Sequence, residues 1–295
     1  MISICIPVYN YDIAELLASL NQEIASKNLQ AKIILIDDCS RLQIKQINKQ
    51  KAEKHQYIEL EKNIGRAKIR NLFLKYTQTD YMLFLDCDVS IVSSNFVSDY
   101  IALVTKEKPS VICGGLTYQQ NRPSKELLLR WKYGLGKEVR TAKERMKQPH
   151  QSFMTSNFLI QRTVFDAIRF NEEISEYGHE DTYFGYELKQ RNFNIKHINN
   201  PILHKGLETN KVYLKKTEQS ILSLIQITRF LGKNSEFFKE VTLLRIYKKI
   251  GFMRGFVKAF FTIFQPLVRK ILTKGMVSLK LFDFYKLGFL AKNYK

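Results

Sequence analysis

The chain has 295 residues, 45% hydrophobic and 25% charged, which excludes global disorder and allows one large domain with an appendage or two modest domains. Its formal charge of +19 is unevenly spread, because residues 206–295 carry 18 Lys/Arg against 5 Asp/Glu, a concentration that calls for an anionic partner. The four cysteines form no C-x-x-C pair, no apolar stretch approaches the roughly 18 residues of a spanning helix, and Met1 runs straight into a strand pattern; a disulfide framework, a membrane span and a secretory signal are not expected, and a cytoplasmic setting is.

In chain order, Ile2–Val8 is a β-branched strand closed by Pro7 and Asn10, and Ile13–Ile24 has helical spacing. A second strand, Lys32–Ile36, ends at Asp37-Asp38. A polar helix over Leu42–His55 precedes a third strand, Tyr57–Leu60. Helix Ile64–Tyr76 leads to the fully apolar strand Tyr81–Leu85, which stops at Asp86. Strands alternating with helices of this length predict an α/β fold with a doubly wound sheet, whose ligands sit beyond the carboxyl ends of the strands. Three of those ends carry polar signatures: Tyr9-Asn10, Asp37-Asp38 and Asp86-Cys87-Asp88.

Further on, helix Phe96–Lys106 and strand Ser110–Cys113 close at Gly114-Gly115, and residues 119–150 read as a polar, basic, mobile segment. Thr155–Ile160 returns to the core. Tyr177–Asp181 opens a helix over Thr182–Gln190, Phe193–Ile198 is a last strand, and Ile202–Gly206 reads as a turn. Beyond Asn210 the pattern is helical, with turns near Gly232 and Gln265-Pro266.

Two carboxylates two residues apart after a strand, as in Asp86-Cys87-Asp88, suit a hard divalent cation that also binds diphosphate oxygens. Taken alone, the triplet reads equally well as a solvated turn, and Asp37-Asp38 as a helix cap. The blocks Ile6-Pro7-Val8-Tyr9-Asn10, Ile36-Asp37-Asp38-Cys39-Ser40, Asn63-Ile64-Gly65-Arg66 with Arg70-Asn71, and Leu85-Asp86-Cys87-Asp88 together resemble family 2 of the inverting glycosyltransferases over residues 1–115. That resemblance implies a GT-A fold, with a mixed Rossmann-like sheet. It also implies a nucleotide-sugar donor contacted by Pro7, Tyr9, Asp38, Gly65, Arg66 and Asp86, and Mn²⁺ or Mg²⁺ on Asp86, Asp88 and His204. The family usually has Gly at the position of Cys39, so the turn there is expected to differ.

Met154-Thr155-Ser156-Asn157-Phe158 and Tyr177-Gly178-His179-Glu180-Asp181-Thr182 resemble the acceptor region of galactosyltransferase and chondroitin-polymerase-like enzymes. In those relatives an Asp of the Gly-x-Glu-Asp loop is the catalytic base. Asp181 holds that position, with Glu180 beside it. An acceptor hydroxyl needs such a carboxylate to take its proton. Helix capping is the competing reading of the pair. His179 reads as an exposed loop residue, and Arg66 and Lys68 either reach the donor or face solvent.

These readings divide the chain into a catalytic domain, 1–209, with a donor half to 115 and an acceptor half from 116, and a basic amphipathic helical region, 210–295. On a helical wheel Ile250, Met253, Val257, Phe260, Phe261 and Phe264 share a face, opposite Lys248, Arg254 and Lys258. Basic residues interleaved with Phe suit peripheral binding to an anionic membrane through residues 240–295, at the inner face of the plasma membrane. A helical bundle packed on the catalytic domain is the alternative. The expected activity is transfer of one sugar, most simply from a UDP-sugar, to a glycan or lipid-linked saccharide. A nucleotidyltransferase would carry a Gly-rich basic loop where Pro7-Val8-Tyr9-Asn10 stands, and a nucleic-acid-binding protein fits the acidic strand ends poorly. The processive relatives carry Gln-x-x-Arg-Trp after the catalytic Asp, whereas Arg130-Trp131 follows Leu127 and precedes Asp181.

Overall fold

The apolar runs of the first half become buried strands of one seven-stranded sheet. In the computed structural model, which describes residues 1–174, 177–232 and 235–294, β1 (Ile2–Val8), β2 (Ala31–Asp37), β3 (Gln56–Glu59) and β4 (Tyr81–Leu85) run parallel. They are followed by β5 (Val89–Ile91), β6 (Val111–Cys113), β7 (Leu116–Thr117), β8 (Asn157–Gln161), β9 (Ile195–His197) and β10 (Ile202–His204). The main sheet has the order β3-β2-β1-β4-β8-β6-β9, with β8 antiparallel to both its neighbours. The strand order reverses between β1 and β4, and the crevice beyond their carboxyl ends is where such sheets bind ligands. Here it is bordered by the three polar strand ends.

Helices cover both faces: α1 (Ala14–Ser26), α2 (Leu42–Lys51), α3 (Arg66–Tyr76), α4 (Phe96–Glu107), α5 (Leu128–Tyr133), α6 (Ala142–Arg145), α7 (Arg162–Ala167) and α8 (Glu180–Gln190). Strand periodicity sorts the side chains. Ile4 and Leu83 point into one core with Leu16, Leu20, Phe96 and Tyr100, while Cys5 and Phe84 point into the other with Phe73 and Phe184. Phe84 stacks on Phe158 across β4 and β8 at 4.9 Å, the cross-strand contact that sets their register. Asn157, fully buried, ties the sheet end together. It accepts from the Tyr100 hydroxyl at 2.7 Å and donates to the Gly115 and Asn200 carbonyls at 2.9 Å.

Three expectations are corrected. Residues 202–204 form a strand, because β5 and β7 lie on either side of β10 in a three-stranded second sheet; strands this short leave no periodic pattern to read. Residues 119–150 are ordered, as a 3₁₀ turn (Lys125–Leu127), α5, a π turn (Gly134–Glu138) and α6 with its Thr141–Glu144 capping box. Their charges are used internally: Arg130 pairs with Glu138 at 2.8 Å, and buried Arg145 donates to the carbonyls of Gly114 and Ile198 at 3.1 and 2.6 Å. Finally, Pro266 lies inside a helix. The buried Phe261, Val268 and Leu272 on either side of it hold that helix through the missing N–H.

The C-terminal region comprises α9 (Asn210–Leu231), α10 (Phe237–Glu240), α11 (Thr242–Lys249), α12 (Arg254–Thr273) and α13 (Leu279–Asn293). It shares a core with the sheet-bearing part: Ile174, Tyr183 and Tyr186 pack among Ile221, Leu224 and Phe237. Asn210 accepts the Leu129 N–H at 2.8 Å, and Ser223 of α9 donates to the Gly178 carbonyl at 2.8 Å. No helix of the described residues is long and apolar enough to cross a membrane.

Candidate active site

β2 delivers Asp37 and Asp38 into the crevice, and both are buried. Asp37 accepts the Ser40 N–H at 2.6 Å and the Tyr57 hydroxyl at 2.9 Å. Asp38 accepts the N–H groups of Ile64 and Gly65 at 2.7 and 3.2 Å, so it caps the start of α3 rather than that of α2. Burial raises the Asp38 carboxyl, against the pull of those two N–H groups. Cys39 takes the left-handed conformation, φ 65°, which a glycine adopts without steric cost. Pro7, half-buried, is the penultimate residue of β1, and the Tyr9 ring just beyond the strand is exposed.

One turn into α3, Arg66 and Arg70 share a face. Arg70 is 3% exposed and joins two ends of the site: its Nη2 donates to Asp86 Oδ1 at 3.0 Å, and its Nη1 lies 3.5 Å from Glu180 Oε1. Arg66 lies 3.7 Å from the same Glu180 oxygen and 4.5 Å above the Tyr177 ring, on which Lys216 also rests at 5.0 Å. Lys68 points to solvent. Asn71 holds the chain leading to the Tyr177 loop, donating to the Phe170 carbonyl and accepting the Phe170 N–H, both at 2.9 Å. Arg70 and Tyr177 stood within the matched sequence blocks but were given no role of their own there. The i, i+4 spacing of Arg66 and Arg70 was the available signal.

β4 and the following turn present Asp86, Cys87 and Asp88, all half-buried. Asp86 is turned to Arg70. Asp88 faces His204 of β10, with 3.7 Å between Oδ2 and Nδ1, too long for a hydrogen bond. Gly206 completes the corner: its N–H reaches His204 Nδ1 at 3.2 Å, and a Cβ there would stand 2.2 Å from Asp88 Oδ2. That is a cradle which any side chain at 206 would fill. The Tyr118 ring, its hydroxyl bonded to Glu138, leans on the His204 ring at 5.3 Å, so the segment 119–150 supports this corner. Among the described residues no three His, Cys, Asp or Glu side chains converge as a complete metal cage. Asp88 and His204 nevertheless fit a Mn²⁺ or Mg²⁺ ion, because such ions commonly take one or two protein side chains and complete their shell with phosphate and water.

Opposite this corner α8 begins at Glu180 and Asp181. The two carboxylates are unlike. Glu180 is buried and held by both arginines. Asp181 is half-buried; its Oδ1 accepts the Thr182 N–H at 2.6 Å and the Thr182 hydroxyl at 3.2 Å, and its Oδ2 has no protein partner among the described residues. Burial, and then the neighbouring Glu180 charge, push the Asp181 carboxyl up to about 6. His179 corrects the expectation of an exposed loop residue: it is partly buried, left-handed at φ 66°, and within 3.1 Å of the Thr182 hydroxyl through Nδ1. Burial pushes its imidazole down to about 4, so it is neutral at pH 7. The loop has no room to spare, since a Cβ on Gly178 would stand 2.8 Å from the Ser220 side chain of α9.

The sequence matches the model of the glycosyl transferase family 2 domain over residues 3–169. No curated protein sequence matches it. Among solved structures it is similar to the mannosyltransferase PcManGT from Pyrobaculum calidifontis in complex with GDP-Man and Mn²⁺, at 11% identity and TM-score 0.63 over 99% of this chain and 85% of that one. It is also similar to a fragment of S. aureus TarS, at 20% identity and TM-score 0.52 over 99% of this chain and 88% of that one. A third is glucosyl-3-phosphoglycerate synthase from Mycobacterium tuberculosis in complex with Mg²⁺ and UDP, at 12% identity and TM-score 0.53 over 78% of each chain. At these identities the likenesses establish the fold, which is GT-A with a helical C-terminal region.

Proposed function

The chain belongs to glycosyl transferase family 2, and from that membership we propose that it moves one sugar from a nucleotide-sugar donor to a hydroxyl of a glycan or lipid-linked saccharide, with inversion. A UDP-sugar is the donor we favour. The observation that carries this reading is Asp181: a carboxylate with one oxygen fixed by Thr182, the other without a protein partner among the described residues, and a proton affinity raised by burial and by Glu180. A hydroxyl is a weak nucleophile, and a base of this strength can accept its proton as the new bond forms. The acceptor oxygen bonds to the anomeric carbon while the bond from that carbon to the diphosphate breaks, and the electron pair leaves with the diphosphate. Attack from the face opposite the leaving group inverts the anomeric centre. Nothing covalent to the protein is needed.

Glu180, neutralised by two arginines, is the positioning partner that fixes the start of α8. Arg70 links it to Asp86, so the base and the donor end of the site are set by one buried side chain. We assign the nucleoside to the ends of β1 and β2, with Pro7, Tyr9, Asp38 and Gly65, and the diphosphate to Arg66 and the Asp86 turn. Mn²⁺ or Mg²⁺, held by Asp88 and His204 with Asp86 nearby, would neutralise charge on the departing diphosphate. The GDP-Man and Mn²⁺ in complex with PcManGT, and the Mg²⁺ and UDP in complex with the mycobacterial synthase, support a nucleotide-sugar and a divalent ion here. The Gly178–Asp181 loop serves as the acceptor wall, in the manner of galactosyltransferase and chondroitin-polymerase-like enzymes. The donor half ends near residue 115, the acceptor half near 209, and the helices from 210 back the acceptor wall. Four free cysteines support a reducing, cytoplasmic setting.

A thermal-shift panel of UDP-, GDP- and dTDP-sugars with and without Mn²⁺ tests the reading. Stabilisation by one nucleotide class, and only with the metal, is expected. Absence of any shift across the panel would overturn it.

A further inference from the structure

α12 has two apolar faces, and only one of them is used inside the protein. Phe261, Val268 and Leu272 are buried against α9 and α13. About a third of a turn away, Phe252, just ahead of the helix, and Phe256, Phe260, Ile263 and Leu267 recur at helical spacing and face solvent. The exposure is large: 98% for Phe252, 67% for Phe256 and 72% for Ile263. The Phe260 ring lies 6.1 Å from that of Phe256 and 4.5 Å from that of Phe264, so the stripe is continuous for about 22 Å of helix. A stripe of this length and breadth is unusual on a monomer surface, where large apolar residues normally stand singly.

The surrounding charge says what covers it. Residues 241–295 carry 12 Lys/Arg against the single acidic residue Asp283. Asp283 is engaged by Lys137 and Lys286. Among the described residues Lys258, Lys270 and Lys274, exposed on or just after α12, have no ion-pair partner, and Lys270 and Lys274 continue the apolar stripe at its C-terminal end. A second copy of this chain brought face to face would set these cations against their own kind. An anionic bilayer surface satisfies both features, taking the rings below its headgroups and the ammonium groups at the level of its phosphates.

We infer that α12 is an in-plane membrane helix that lays its Phe252–Leu267 face into an anionic lipid surface. The site for this contact differs from the sequence expectation. Of the wheel face, Phe261 is interior, Ile250 and Val257 are half-buried and Met253, Phe260 and Phe264 are exposed, whereas Phe252, Phe256, Ile263 and Leu267, which that face omitted, form the contact together with Phe260.

The test is co-sedimentation of the full chain with vesicles of phosphatidylcholine alone and of phosphatidylcholine mixed with phosphatidylglycerol. Binding to the anionic vesicles is expected, weakening as salt rises. The variant Phe252→Ser/Phe256→Ser/Ile263→Ser removes only exposed apolar surface and should bind about a hundredfold more weakly. The variant Lys270→Ala/Lys274→Ala should lose about tenfold or more on anionic vesicles, with its salt dependence reduced. Unchanged binding in the serine variant, or no vesicle binding by the parent chain, would overturn the inference. So would analytical ultracentrifugation showing a dimer that the serine substitutions dissociate, which would give the stripe to a second copy. The measurement requires no sugar transfer, so it stands or falls separately from the proposed reaction.

Discussion

Replacing Asp181 by Asn tests the proposed base in a way that a simple loss of activity does not. The change keeps the shape and the Oδ1 acceptor for Thr182, and removes the charge. Raising a carboxyl from its ordinary 3.8 to about 6 corresponds to about 3 kcal/mol against the ionised form in the folded protein. Because Asp181 is only half-buried and shares its field with Glu180, about 1–2 kcal/mol of that is expected to appear as stability. The sign follows from which state holds the proton more tightly. Below about pH 4 the carboxyl is protonated in both states and costs nothing; as pH rises to about 6 the unfolded chain ionises first, and above that the cost is complete. Asp181→Asn should therefore unfold a few degrees higher than the parent at pH 7, with the difference vanishing near pH 4. Its turnover should fall about 10²–10⁴-fold while donor affinity is retained. In the parent, kcat/KM should decline tenfold per pH unit below about pH 6, and the residual activity of the variant should lack that limb. Scanning calorimetry and an initial-rate pH profile on both proteins make the comparison. A variant that loses less than about tenfold in turnover places the base elsewhere, and one that is no more stable at pH 7 refutes the desolvation argument.

Arg70→Met should cost about 3 kcal/mol of stability, because it strips the buried Glu180 of one cation and releases Asp86. Chemical denaturation would read this, and a loss below about 1 kcal/mol would mean that the arginine does not link the two ends. Asp88→Ala should weaken Mn²⁺-dependent donor binding by at least about tenfold in isothermal titration. Metal-dependent binding of parental strength would remove Asp88 from the ion's ligands.

The sequence was most readable where a strand is buried on both faces. β1, apolar but for Ser3, and β4, a continuous apolar run, are followed closely by Asn10 and Asp86, so the strands and their polar ends are legible from local pattern. It was least readable where tertiary pairing decides. β5, β7 and β10 are strands of two or three residues that exist because they meet one another. Arg130 and Arg145 resemble solvated charges until Glu138 and the carbonyls of Gly114 and Ile198 are placed beside them. Asp38 shows the same limit from the other direction: its carboxylate was legible as a cap or as a donor contact, but its actual partners, the N–H groups of Ile64 and Gly65, lie just ahead of a different helix from the one it precedes.

α12 brings these cases under one physical rule. A helical wheel ranks residues by angle, and the buried Phe261 and the exposed Phe256 carry the same side chain only about 140° apart. Periodicity therefore identifies that the helix is apolar over much of its circumference, without dividing the face that α13 covers from the face left open. Charge divides them. The inward face meets Tyr285 and Phe282, whereas the outward face is continued by Lys270 and Lys274. A cation at the end of a stripe is incompatible with burial in a dry protein core unless it is paired. It is compatible with a lipid headgroup, which supplies the counter-charge at the depth where the apolar rings end. The same criterion separates Glu180 from Asp181: two adjacent carboxylates, one paired with Arg66 and the buried Arg70 and so fixed, the other without an ion pair among the described residues and so available to take a proton.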